Sequence, residues 1–145
     1  MKRNNWTVCL SGLLNEVELR MLRALVGVVR KYWIVLSLML LVAITALSLW
    51  PVDKLPTVPG SDKSHHFLAY LALMFPAALR QPRYWLWIGL LYIGWSAAIE
   101  LLQPSVNRYA EWWDMLANGA GVACGGLAGR LVAALLPAAI PASRD

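Results

Sequence analysis

Between Lys31 and Asp53 the chain runs for 21 residues without a charged side chain. At about 1.5 Å per helical residue that is roughly 31 Å, close to the ~30 Å hydrocarbon core of a bilayer. Composition agrees. Apolar residues make up 59% of the 145 and charged residues 14%, against roughly 45–50% and 25% in soluble domains. A chain this short has a high surface-to-volume ratio, so a soluble version should be more polar than average. These numbers argue against a soluble enzyme, a disordered linker, a collagen and a coiled coil. Cys9 and Cys124 form neither a framework nor a CxxC pair, which argues against a disulfide scaffold or a zinc knuckle. Cys124 reads as a small apolar filler.

Three shorter charge-free runs follow, Ser64–Leu79, Tyr84–Ile99 and Met115–Gly129. Each reaches a membrane-spanning length if polar residues at its ends sit among the headgroups. The expected fold is an all-α membrane protein, a four-transmembrane-helix bundle with helices at about 31–50, 63–80, 84–103 and 112–136. Residues 1–30 form a basic amphipathic segment and 137–145 a short tail. Ten of the thirteen basic residues fall before the first span, in the Arg80-Gln81-Pro82-Arg83 hairpin or after the last span. Lys54, Lys63 and Arg108 fall on the other side. The positive-inside rule then predicts that both termini are cytoplasmic. The tryptophans lie mostly near span ends, as interfacial anchors do, whereas Trp95 is deeper and is expected to pack.

Glu16, Glu18, Arg20 and Arg23 interrupt any signal-peptide core in residues 1–30. On a helical wheel Leu10, Leu14, Val17, Met21, Leu25 and Val28 share one face, with Glu16, Arg20, Arg23 and Arg30 opposite. That pattern predicts a helix lying on the anionic inner leaflet.

The placement of polar residues within the spans is the most informative pattern. Asp62, His66 and Tyr70 recur every four residues, so they form one stripe. Tyr92, Ser96, Glu100 and Gln103 share a face of the third helix, and Asp114 and Asn118 a face of the fourth. Alternating helix directions carry all these ends to the outer side, where Lys63, Arg108 and Glu111 join them. Ionisable groups at membrane depth cost about 2.5–3.5 kcal/mol near the centre, so they pair, face the bundle interior or line a wet cavity. Two readings follow: an ion-pair and hydrogen-bond clamp on the helix ends, or an outward-facing site. Farther along the fourth helix, Gly121, Gly125 and Gly129 at four-residue spacing form a small-xxx-small packing seam.

Taken in order, these residues resemble the VanZ-like family of small bacterial membrane proteins. The matching stretches are Asp62-Lys63 with His66, Phe67 and Tyr70, then Glu100 with Gln103, then Arg108, then Asp114 with Asn118, Gly121 and Gly125. The resemblance covers about residues 31–135. Tyr109, Glu111, Trp112 and Trp113 replace a stretch that is smaller and less aromatic in the family. The resemblance implies a multi-pass envelope protein. The family takes its name from a protein linked to low-level teicoplanin resistance, which adds a glycopeptide-like ligand and antibiotic resistance to the expectations.

Three functions compete. The first is a non-enzymatic module that engages membrane lipids, a lipid-linked glycan or a glycopeptide-like ligand through Asp62, Lys63, His66, Tyr70, Glu100, Gln103, Arg108, Asp114 and Asn118. In it the carboxylates accept hydrogen bonds and the cations contact phosphate or carboxylate. The second is an integral-membrane enzyme with His66 or Glu100 as general acid or base, beside Asp62 and Asp114. No cofactor is committed, but Asp62, Glu100, Asp114 and Asn118 offer oxygens that suit a divalent cation such as magnesium. HExxH, GxSxG and P-loop motifs are absent from the sequence. The third is a helper subunit, a homo-oligomer or a docked membrane-protein partner, using the glycine face or the amphipathic N-terminus. Nucleic acid is not an expected partner, because the net +5 charge sits at membrane edges.

Overall fold

The computed structural model describes residues 15–50, 62–107 and 111–136. Among them every regular element is helical. The helices are α1 (Glu16–Lys31), α2 (Trp33–Ser48), α3 (Asp62–Arg80), α4 (Trp85–Leu102) and α5 (Trp112–Leu135). A 3-10 turn, Gln103–Val106, extends α4. The helices expected from the charge-free runs thus appear within a few residues of their expected bounds. Residues 1–14, with Leu10 and Leu14 of the amphipathic stripe, and the 137–145 tail lie outside the described residues.

The ends of these helices follow local chemistry. Asn15 begins α1 with a reciprocal capping box: its Oδ1 accepts from the Glu18 backbone N–H at 2.8 Å, and its own N–H donates to Glu18 Oε2 at 3.1 Å. α3 stops at Gln81, whose φ of 56° turns the chain into the Pro82 hairpin. Asn107, a residue type that tolerates the left-handed region, closes the 3-10 turn at φ 58°.

α3 and α5 make the most extensive interhelical contact and run parallel, in register through the glycine seam. A Cβ on Gly121 would collide with the Phe67 carbonyl oxygen, and one on Gly125 with that of Leu71. One on Gly129 would lie 2.8 Å from both the Phe75 oxygen and the Ala78 Cβ. Missing side chains thus let the two backbones touch. The seam is used within the chain, so it is not a free face for a partner helix. α2 and α4 run the opposite way and complete a core of Ile44, Tyr70, Leu73, Met74, Ala78, Tyr92 and Val122. Trp95 does not pack fully as expected. It is 41% exposed and donates its indole N–H to Thr45 Oγ1 at 2.9 Å, tying α4 to α2. Cys124 is exposed rather than a filler.

Three sequence expectations change in detail. The first span is broken: a 72° bend at Tyr32 separates α1 from α2, which is only 16 residues long, or about 24 Å. Trp85–Val106 is the one described helix that is by itself long and apolar enough to cross a membrane; α1 and α2 meet that standard only together. α3 opens on Asp62 and Lys63, and α5 is rich in alanine and glycine with Asp114 and Asn118 near its start, so neither is uniformly apolar. Finally, α1 packs through Leu19 and Val26, with Arg23 and Arg30 partly covered, while Val17, Met21, Leu25 and Val28 face outward. Of the arginines assigned to its polar face, Arg23 and Arg30 therefore turn toward the bundle, while Arg20 stays exposed. Arg30 explains why: its Nε donates to Leu79 O at 3.1 Å and its Nη2 to Ala133 O at 3.3 Å, satisfying carbonyls in the last turns of α3 and α5.

Candidate functional site

α3 and α5 start at the same end of the bundle, and α2 and α4 finish there. Acids occupy both first turns, Asp62 on α3 and Asp114 on α5, where two parallel helix dipoles present their positive ends. Four-residue spacing then aims His66 and Tyr70 from α3, Ser96 and Glu100 from α4, and Asp114 and Asn118 from α5 into the space between the helices, where all six are buried.

A hydrogen-bonded chain links the three helices. Asn118 Nδ2 donates to Ser96 Oγ at 2.7 Å. Asn118 Oδ1 then faces His66 Nδ1, 3.2 Å away. An amide oxygen only accepts, so in this arrangement Nδ1 is the donor. The other ring nitrogen, Nε2, faces Asp62 Oδ1 at 4.0 Å and Asp114 Oδ2 at 3.8 Å. Asp114 is 3% exposed, and its Oδ1 is buried without a hydrogen-bond partner. Lys63 Nζ lies 3.9 Å from that oxygen but is held at 2.7 Å by Glu111 Oε2. The Asp62 side chain, 60% exposed, forms the outer edge.

The remaining expected site residues divide. Glu100 accepts from the Glu111 backbone N–H at 3.3 Å, so it joins α4 to the start of α5. Gln103 is buried and donates to Ser48 O at 3.3 Å, fastening the 3-10 turn to the end of α2; its Oε1 accepts no hydrogen bond. Tyr70 stands against Ser96 and Glu100 beneath the network. Arg108 lies outside the described residues. Ser96, noted in sequence only as part of a stripe, proves to accept from the Asn118 amide. Glu111 proves to anchor both Lys63 and Glu100.

Chemically, the arrangement offers an imidazole engaged at Nδ1 by Asn118, two carboxylates aimed at its second nitrogen, and an exposed ammonium at the rim. Asp62, His66 and Asp114 each bring a ligand atom within 4.8 Å of the others. Comparison with family models, curated proteins and solved structures finds no match.

Proposed function

We propose that this chain is a VanZ-like, four-span protein of the bacterial inner membrane, with both termini cytoplasmic, whose polar end faces outward and engages the headgroup of an envelope lipid or a lipid-linked glycan. A glycopeptide of the teicoplanin class presents comparable hydroxyl, amine and carboxylate groups, and resistance to it is the corresponding phenotype.

The observation that carries the reading is the convergence of His66, Asn118, Ser96, Glu100 and Asp114 from three helices at one end of a bundle whose flanks are apolar and exposed. Leu86, Trp87, Leu90 and Leu91 on α4 and Val35, Leu38, Met39 and Val42 on α2 all face outward. Exposed apolar surface this continuous is what lipid contact requires. The exposed apolar stripe of α1 fits a helix lying in the inner leaflet, bent away from α2 at the membrane surface. Lys63 at the rim suits a phosphate, and the carboxylates suit hydroxyl or amine donors.

The test is binding by the purified protein in neutral-lipid nanodiscs, using envelope-lipid extract and teicoplanin as probes. Saturable binding weakened by Asp62→Ala and Glu100→Ala is expected. Absence of saturable binding, or binding that both variants retain in full, overturns the proposal.

A second reading, an integral-membrane enzyme acting on the same lipid, draws on one observation: His66 has one nitrogen fixed by Asn118 and the other turned toward two carboxylates, an arrangement suited to proton transfer. Product analysis on envelope-lipid extract separates the two. Turnover that disappears in His66→Ala supports catalysis, and the same products from wild type and variant exclude it.

A further inference from the structure

We infer that Asp62, His66 and Asp114 form a binding site for a divalent first-row transition ion, with Zn2+ and Mn2+ as the fitting members. The inference shares residues with the headgroup reading but does not depend on it: Zn2+ without lipid probes the first, and lipid without Zn2+ probes the second.

The starting point is the Asn118 contact. With Nδ1 engaged by Asn118 Oδ1, His66 turns its Nε2 toward the two aspartates. A bare lone pair would point at Asp62 Oδ1 and Asp114 Oδ2, two anionic oxygens at 4.0 and 3.8 Å. Three electron-pair donors aimed into one space require positive charge there. A proton fills that need poorly. Charge-assisted N–H···O contacts measure about 2.7–2.9 Å, and both distances here are an ångström longer. An ion fills it better. Ligand bonds of about 2.0–2.2 Å at a tetrahedral angle hold donor atoms about 3.3–3.6 Å apart, so the two His66–oxygen distances need close by only a few tenths of an ångström, and the two carboxylate oxygens, within 4.8 Å of each other, draw together with them. Asp62 can supply that movement, because its side chain is exposed at the first turn of α3.

A second, independent observation points the same way. Asp114 is more than nine-tenths buried, lies beside the imidazole, and keeps an Oδ1 that accepts no hydrogen bond. Lys63, 3.9 Å from that oxygen, is already pinned to Glu111. A buried carboxylate oxygen left in this condition is costly, and a cation at the cluster offsets that cost. The rest of the network has the form metal-binding histidines need: the non-ligating nitrogen donates to an oxygen that is itself held, here by the Asn118 bond to Ser96. The donor set selects the ion. Carboxylates alone would suit Mg2+, Ca2+ or Mn2+, whereas an imidazole in the set favours Zn2+, with Mn2+ the weaker fit through its two carboxylates. Three protein ligands leave at least one position open toward the exposed edge.

The experiment is calorimetric titration of the chelator-treated, full-length protein in detergent with Zn2+, repeated with Mn2+ and Mg2+. One Zn2+ per chain is expected, with affinity falling at least 100-fold in His66→Ala and in Asp114→Asn, and 10–100-fold in Asn118→Ala. Asp62→Asn guards against misfolding, since an exposed side chain can be replaced without disturbing the core; at least a 10-fold loss is expected with circular dichroism and gel-filtration profiles unchanged. Mg2+ should compete only in large excess. No saturable Zn2+ binding, wild-type affinity in Asp62→Asn, or equal competition by Mg2+ overturns the assignment, the last by removing the His66 nitrogen from the ligand set.

Discussion

The two ends of this bundle use charge differently. At the end where α3 and α5 finish, arginine serves the backbone. Arg30 closes carbonyls of both helices, and Arg130 lies over the Trp85 ring, 5.1 Å from its centroid. Each contact joins neighbouring elements. At the end where α3 and α5 begin, Glu100, Gln103 and Glu111 do similar joining work. Asp62, His66 and Asp114 add a different arrangement: His66 Nε2 faces Asp62 Oδ1 at 4.0 Å and Asp114 Oδ2 at 3.8 Å, beside the buried Asp114 Oδ1. The arginine contacts at the other end each join two elements; here two carboxylates converge on one imidazole.

The largest expected effect concerns the seam that both ends share. Gly125→Leu drives a branched side chain into the Leu71 backbone and should prevent the folded state from accumulating, while Gly125→Ala costs about 1–3 kcal/mol or more. Gel filtration and thermal melting in detergent check this. Next is Asn118→Ala, which strips the partners from the His66 Nδ1–H and the Ser96 hydroxyl. A loss of about 1–3 kcal/mol is expected in thermal melts. At the opposite end, Arg30→Ala removes two hydrogen bonds to carbonyls and should cost about 1–2 kcal/mol, with Zn2+ affinity unchanged. An affinity change there would blur the division between the ends. The smallest effect is expected for Lys63→Ala. Its ion pair with Glu111 is exposed on both sides, so the melting midpoint should barely move, and lipid binding should weaken instead.

Much of this was legible in the sequence because helical spacing fixes which residues share a face. Asp62 with His66, Ser96 with Glu100, and Asp114 with Asn118 all sit together as four-residue spacing requires, and the glycine seam falls on the face that continues from Asn118. Spacing does not fix depth or rotation between helices, however. It could not say that Glu100 meets the Glu111 backbone while Asp114 meets His66, nor that Gln103 reaches Ser48. The α1 wheel placed its apolar stripe on an exposed face, but it could not show that part of the polar face packs: Arg30 turns inward because carbonyls from α3 and α5, 49 and 103 residues away in sequence, meet it there. The bend at Tyr32 was equally hidden, since no glycine or proline marks it.

The central claim is that Asp114 is placed for a ligand and not for stability. Thermal melting of wild type and Asp114→Asn, each with chelator and with Zn2+, tests it most directly. With chelator, neutralising the carboxylate should leave the midpoint unchanged or raise it, since the charge is buried and incompletely satisfied; Zn2+ should then raise the midpoint of wild type alone. A variant that melts well below wild type in chelator, with neither protein responding to Zn2+, would show that Asp114 is part of a clamp.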